Sequence, residues 1–135
     1  KVDASVQTAS VNTGNDKRDG HLKGTDFFDA EKNPTISFKS TKVTAAGKNK
    51  YKVTGDFTMH GVTKSVTFDA EFLGAGAVGV GGQSWGPKAG FIASATINRK
   101  DFGIVWNKTL DNGGLMLGDD VKINLNIEAN AAETK

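Results

Sequence analysis

Arg18, Asp19 and His21 put a guanidinium, a carboxylate and an imidazole close together beside the apolar Leu22. Arg18 and His21, three apart, would share one face of a helix. Such a cluster can recognise an anion or a carbonyl through Arg18. Equally, Arg18 and Asp19 can pin a helix through salt bridges. His60 lies in His60-Gly61-Val62-Thr63-Lys64, which reads as a hairpin turn. With Asp19, Asp119 and Asp120 the two histidines are the conceivable metal ligands, but no His-x-x-x-His or comparable spacing occurs, so no metal is expected. Asp119 and Asp120 are adjacent; on a strand they point to opposite faces and make no acid/base pair. Gly74-Ala75-Gly76-Ala77-Val78-Gly79 matches G-x-G-x-x-G to the letter. A dinucleotide site also needs a helix starting there and an acidic residue about 20 positions on. Val80-Gly81-Gly82-Gln83-Ser84-Trp85-Gly86-Pro87 follows instead, which cannot be a helix, so the glycine run reads as a flexible hairpin loop, with Trp85 beside it folded over the barrel end. No serine is flanked as a nucleophile elbow, and without cysteine there is no disulfide, zinc finger, iron–sulfur cluster or thiol nucleophile. No catalytic residue and no enzymatic activity are expected.

The elements that must carry these residues are strands. Val2, Ala4 and Val6 alternate with Asp3, Ser5 and Gln7. Ile36 and Phe38 alternate with polar neighbours until the parity changes near Ser40–Lys42, which predicts a bulge. The same period of two runs through Tyr51, Val53, Phe57 and Met59; through Val66, Phe68, Ala70 and Phe72; through Phe91, Ala93, Ala95 and Ile97; and through Val121, Ile123, Leu125 and Ile127. Ile104–Trp106 is a weak seventh candidate. One helix is expected over Gly14–Lys23, with Thr13 as N-cap, Asp16 three residues on, and Gly24 closing it.

Strands with one apolar and one polar face form an antiparallel sheet that is wet on one side. A helix of ten residues cannot cover the other side of six strands, so the sheet must cover itself. Short connections at Ala46-Gly47-Lys48-Asn49 and at His60–Lys64 give a meander, which favours an up-and-down β-barrel over a Greek-key sandwich. Small barrels take about eight strands. Six strands, the first starting at residue 2, predict a barrel that lacks its opening strands, on the order of 30–40 residues, or that closes with a partner as a homodimer.

The chain of 135 residues is expected to be one domain over 1–135. Its net charge of +2, with lysines scattered, gives no reason to expect nucleic acid. No stretch approaches the roughly 20 apolar residues of a membrane-spanning helix, and no transmembrane segment is expected.

Several segments resemble the YceI-like family of periplasmic polyisoprenoid-binding proteins. Val11–Leu22, with Arg18-Asp19-Gly20-His21-Leu22, is similar to the family's strand-to-helix hallmark. Asp26-Phe27-Phe28-Asp29, Asn33–Thr41 and the hairpin Val53–Lys64 are similar to the segments that follow, although Ser65 stands where the family usually has proline. Trp85-Gly86, Ala89-Gly90-Phe91, Ile97–Gly103 and Gly118–Ile123 complete the run in order. Family members open with strands and a histidine that precede the segment starting here at Val2.

The resemblance implies a lipocalin-like antiparallel barrel, periplasmic or secreted, around an apolar interior that binds a polyprenyl lipid or the tail of an isoprenoid quinone. That lipid is a ligand; no cofactor is implied. The candidate lining is Phe27, Phe28, Ile36, Phe38, Phe57, Met59, Phe68, Phe91 and Ile97. The same residues would be plain core if side chains fill the barrel. Arg18, Asp19 and His21 become candidates for the mouth that steadies the lipid headgroup. Two other readings stand beside this one. In the first, a filled barrel acts as a structural or interaction module and pairs through its exposed edge. The other is an enzyme acting on a lipid or sugar through Asp19 or His21.

Overall fold

The computed structural model describes residues 2–80 and 83–130, and among these the side chains of all but 77–80 and 83–87. Six strands form one antiparallel sheet in sequence order: β1 (Asp3–Gln7), β2 (Thr35–Gly47), β3 (Lys50–Met59), β4 (Val62–Val80), β5 (Gln83–Asn98) and β6 (Asp120–Asn130). The sheet curls into a half-barrel whose two edges are β1 and β6. Among the described residues neither edge strand pairs with a second neighbour.

The pairing puts the apolar sets of all strands on one face. Ala4 opposes Phe38, Phe38 opposes Phe57, Val53 opposes Phe68, Ala70 opposes Ala93, and Ala93 opposes Leu125. Because side chains alternate with a period of two, one register on each strand sends every apolar set inward. The predicted bulge lies between Ser40 and Lys42, and a second irregularity follows between Ala45 and Gly47. An extra residue on one strand raises the local twist, which bends β2 around the core. The turns are tighter than the sequence suggests. Lys48 and Asn49 alone join β2 to β3, and His60 and Gly61 alone join β3 to β4. His60 and Gly61 have φ of 56° and 74°, the left-handed pair of a two-residue hairpin that matches strand twist.

Three expectations need correction. The Gly74–Gly79 run lies inside β4, paired with β5, and is not a hairpin loop. Glycine and alanine keep their main-chain donors and acceptors, so the ladder continues, with irregularities between Phe72 and Gly74 and between Ala77 and Gly79. The strand also excludes the helix that a dinucleotide site would need. Ile104–Trp106 is irregular chain, not a strand, because its Ile104 and Trp106 carbonyls bond to Arg99 instead of to a neighbouring strand. Helix α1 spans Asp16–Lys23, and its N-cap is Asn15, whose Oδ1 accepts from the Arg18 amide at 3.0 Å. Thr13 is turned to Asp19 instead, donating to its carboxylate from both the amide and the hydroxyl. Gly24 closes the helix as expected, its amide donating to the His21 carbonyl. The side chain of Trp85, expected over the barrel end, lies outside the described residues.

Candidate functional site

The inward face of the half-barrel differs along its length. At one end the segments that follow α1 and β5 fold back over the sheet. Phe27 arrives from the first, and Phe102, Ile104 and Trp106 from the second. Phe102 is 1% exposed and sits edge-on to Phe57, with ring centroids 5.5 Å apart. Phe38 and Phe68 meet in the same edge-to-face manner at 5.1 Å, a geometry that adds to the burial of each ring.

Of the nine predicted lining residues, Phe27, Phe38, Phe57, Met59, Phe68 and Ile97 are buried in one cluster. Phe28 and Ile36 are half-buried against it. Phe91 is placed apart, further along β5, where its ring meets Phe72 at 5.2 Å. Between the Phe38–Phe68 pair and the Phe72–Phe91 pair the inward positions of β4 and β5 are small: Ala70, Ala93 and Ala95. Ile123 and Leu125 of β6 flank them. Aromatic residues thus bound a run of small apolar side chains across the middle of the face, with Ala95 buried in the core cluster and Ala70 and Ala93 half-buried against it. The alternation already put Phe72, Ala70 and Ala93 on this face. Their importance comes from neighbours across the strands, which a single strand's period does not give.

The predicted mouth residues divide between two places. Arg18 lies on the side of Thr13, with Nε donating to its hydroxyl at 2.8 Å and Nη2 to its carbonyl at 2.9 Å. Asp19 also turns to Thr13, and it is 8% exposed. The helix is thus tied down through Thr13, not through the Arg18–Asp19 salt bridges expected from sequence. The Thr13 hydroxyl holds the Asp19 carboxyl below its ordinary value, against burial, which raises it; the Thr13 amide, Lys23 and Arg18 lower it further. His21 points elsewhere. Its Nε2 lies 3.0 Å from Asp26 Oδ2, and its ring packs edge-on to both Phe27 and Trp106, each at 4.9 Å. His60 stays in its turn, where Nδ1 meets the Phe102 carbonyl at 2.8 Å and ties the β3–β4 hairpin to the cap.

Arg99 is the residue that sequence reasoning missed. It is 5% exposed. Its Nε donates to the Gly118 carbonyl at 2.9 Å, and Nη1 donates to the Ile104 and Trp106 carbonyls at 2.9 and 2.8 Å. Nη2 is 3.8 Å from Asp119 Oδ1, which also pairs with Lys100 Nζ at 3.2 Å. One guanidinium therefore fixes the segment that carries Ile104 and Trp106 over the sheet. Its signal in the sequence was only Asn98-Arg99-Lys100-Asp101-Phe102-Gly103 at a strand end, where Asn98 caps a single 3-10 turn and Gly103 has φ of 76°.

The opposite face is polar. A broad open depression in the sheet is lined by Lys52, Asp69, Glu71, Ser94, Asn124 and Asn126 together with Tyr51, Ala70, Ile92, Ala93 and Leu125, and Lys52 and Asp69 pair at 2.8 Å. Among the described residues no three His, Asp or Glu side chains converge as a metal centre, and no helix is long and apolar enough to cross a membrane.

Comparison with known proteins places this geometry. A family model described as "YceI-like domain" matches residues 1–129. The chain is 40% identical over 133 residues to a UPF0312 protein of Staphylococcus aureus, covering 98% of this chain and 73% of that protein. It is 39% identical over 128 residues to one from Staphylococcus epidermidis, covering 95% and 70%. Among solved structures, the Campylobacter jejuni YceI protein matches with a TM-score of 0.81 at 37% identity, covering 97% of this chain and 72% of that one. Burkholderia cenocepacia BcnA matches with a TM-score of 0.78 at 26% identity, covering 95% and 73%.

Proposed function

Because the chain belongs to the YceI-like family, we propose that its inward face holds the hydrocarbon chain of an isoprenoid lipid, either a polyprenyl lipid or the tail of an isoprenoid quinone. The observation that carries this reading is the run of small, half-buried side chains at Ala70 and Ala93, bounded by paired phenylalanines, which we read as an apolar trough. A prenyl chain laid there leaves water at about 0.8 kcal/mol per CH₂ buried. Ordering of the chain offsets part of that gain, so affinity does not scale with tail length. The protein is on this reading a non-enzymatic carrier that acts in the periplasm or outside the cell, as a single barrel domain.

The test fills the trough. Ala93→Trp places an indole over the alanine floor, away from the cap. Uptake of geranylgeraniol, followed by equilibrium dialysis, is expected to fall at least about tenfold, while near-ultraviolet circular dichroism stays native. Unchanged uptake by a folded variant contradicts the proposal.

The strand edges, which among the described residues carry no second neighbour, favour a second reading. Val2 and Val6 flank and occupy β1, Val121 and Ile127 occupy β6, and all four are exposed. An unpaired strand edge is a template for another chain. Light scattering separates the two readings: an obligate homodimer that takes up no lipid supports an interaction module.

A further inference from the structure

His21 brings a polar group into contact with the aromatic cap. Phe27 and Trp106 hold its ring on two sides, and 44% of the side chain remains exposed, which puts it at the rim. The Asp26 carboxylate can only accept, so the His21 Nε2 carries the proton shared between them. In the neutral ring that assignment leaves Nδ1 with a bare lone pair. Among the described residues nothing in the protein bonds to His21 Nδ1. The other histidine uses its Nδ1 on the Phe102 carbonyl, so its ring is committed to the fold. Arg18, the obvious partner for an anion or a carbonyl, already gives Nε and Nη2 to Thr13. Beside the aromatic cap the rim therefore presents an acceptor backed by a carboxylate.

We propose that His21, oriented by Asp26, determines headgroup specificity: Nδ1 accepts a hydrogen bond from the hydroxyl of a prenyl alcohol. Ethers and carbonyls have no proton to give, and a phosphate ester brings negative charge toward Asp26. Arg99 is a positioning residue for this rim, because its Nη1 fixes the Trp106 carbonyl at 2.8 Å and with it one wall of the His21 ring. The inference rests on the isoprenoid reading above.

The experiment compares geranylgeraniol, its methyl ether and geranylgeranyl phosphate on the same protein by equilibrium dialysis. The alcohol is expected to bind about 3- to 10-fold tighter than the ether, the range of one net hydrogen bond, and the phosphate no tighter than the ether. His21→Phe should erase the alcohol–ether difference. His21→Gln, whose amide oxygen accepts, should restore part of it. Asp26→Ala frees the ring without altering its size, should narrow the ratio, and serves if His21→Phe does not fold. Equal binding of alcohol and ether, tightest binding of the phosphate, or an equal loss of both neutral ligands in His21→Phe overturns the inference and leaves the isoprenoid reading standing. Binding of none of the three overturns both.

Discussion

Asp19 shows how little of a residue's role its type alone decides. In the sequence Arg18 and Asp19 read as a charge pair near a mouth; in the fold each is taken up by Thr13. The reason is local: Asn15 takes the cap by accepting from the Arg18 amide, and Thr13 bonds to the Arg18 and Asp19 side chains instead. Because the Asp19 carboxyl is held below its ordinary value of 3.8, its contribution to stability is complete above that value. It is lost as pH falls through the lower folded value. The difference in melting temperature between the protein and Asp19→Asn should be constant from about pH 5 upward and shrink below about pH 4. A difference that persists at lower pH contradicts the assignment. Arg99 was illegible for another reason: nothing in spacing separates a buried arginine from one on a polar strand end. Arg99→Met leaves the Gly118, Ile104 and Trp106 carbonyls without their donor. Its cost should be about 3 kcal/mol or more by urea denaturation, since each buried polar group left unpaired costs about 1–3 kcal/mol. Arg99→Lys should recover little, because one ammonium cannot reproduce the guanidinium fork.

The strands were the legible elements. Alternation placed six of them, the bulge near Ser40–Lys42, and the inward set from Phe57 to Leu125. What it could not place was irregular chain. Ile104–Trp106 carries the same apolar residues whether strand or coil, and only the Arg99 bonds decide between them. Gly74–Gly79 failed the other way: composition argued for a loop, yet the ladder to β5 runs through it, because pairing uses the backbone that every residue has. Gly55 shows a glycine that an element does require. A Cβ there would collide with the Lys39 carbonyl oxygen and come within 2.7 Å of Phe38 Cζ and Ser40 Cα, at the point where β2 bulges against β3. Gly55→Ala should cost about 1–3 kcal/mol by chemical denaturation, as overpacking does. Gly76→Ala, which meets nothing within 4 Å, should cost much less.

Among the described residues the molecule is a curled sheet with an apolar inner face, a cap over one end and β1 and β6 at its edges, built on the YceI-like plan. Fold class was legible because one apolar face per strand, with short connections, leaves few other solutions. Where the cap sits was not legible, since it depends on Trp106 meeting Phe27 and His21 from far along the chain. The central claim is that the inner face carries an isoprenoid chain. Mass spectrometry of the organic extract of protein purified from bacterial cells tests it most directly, with Ala93→Trp purified alongside as the control. A prenyl lipid is expected to copurify with the protein and to be depleted from the variant. Repeated absence of any prenyl species, together with no uptake of added polyprenol or quinone, would contradict it.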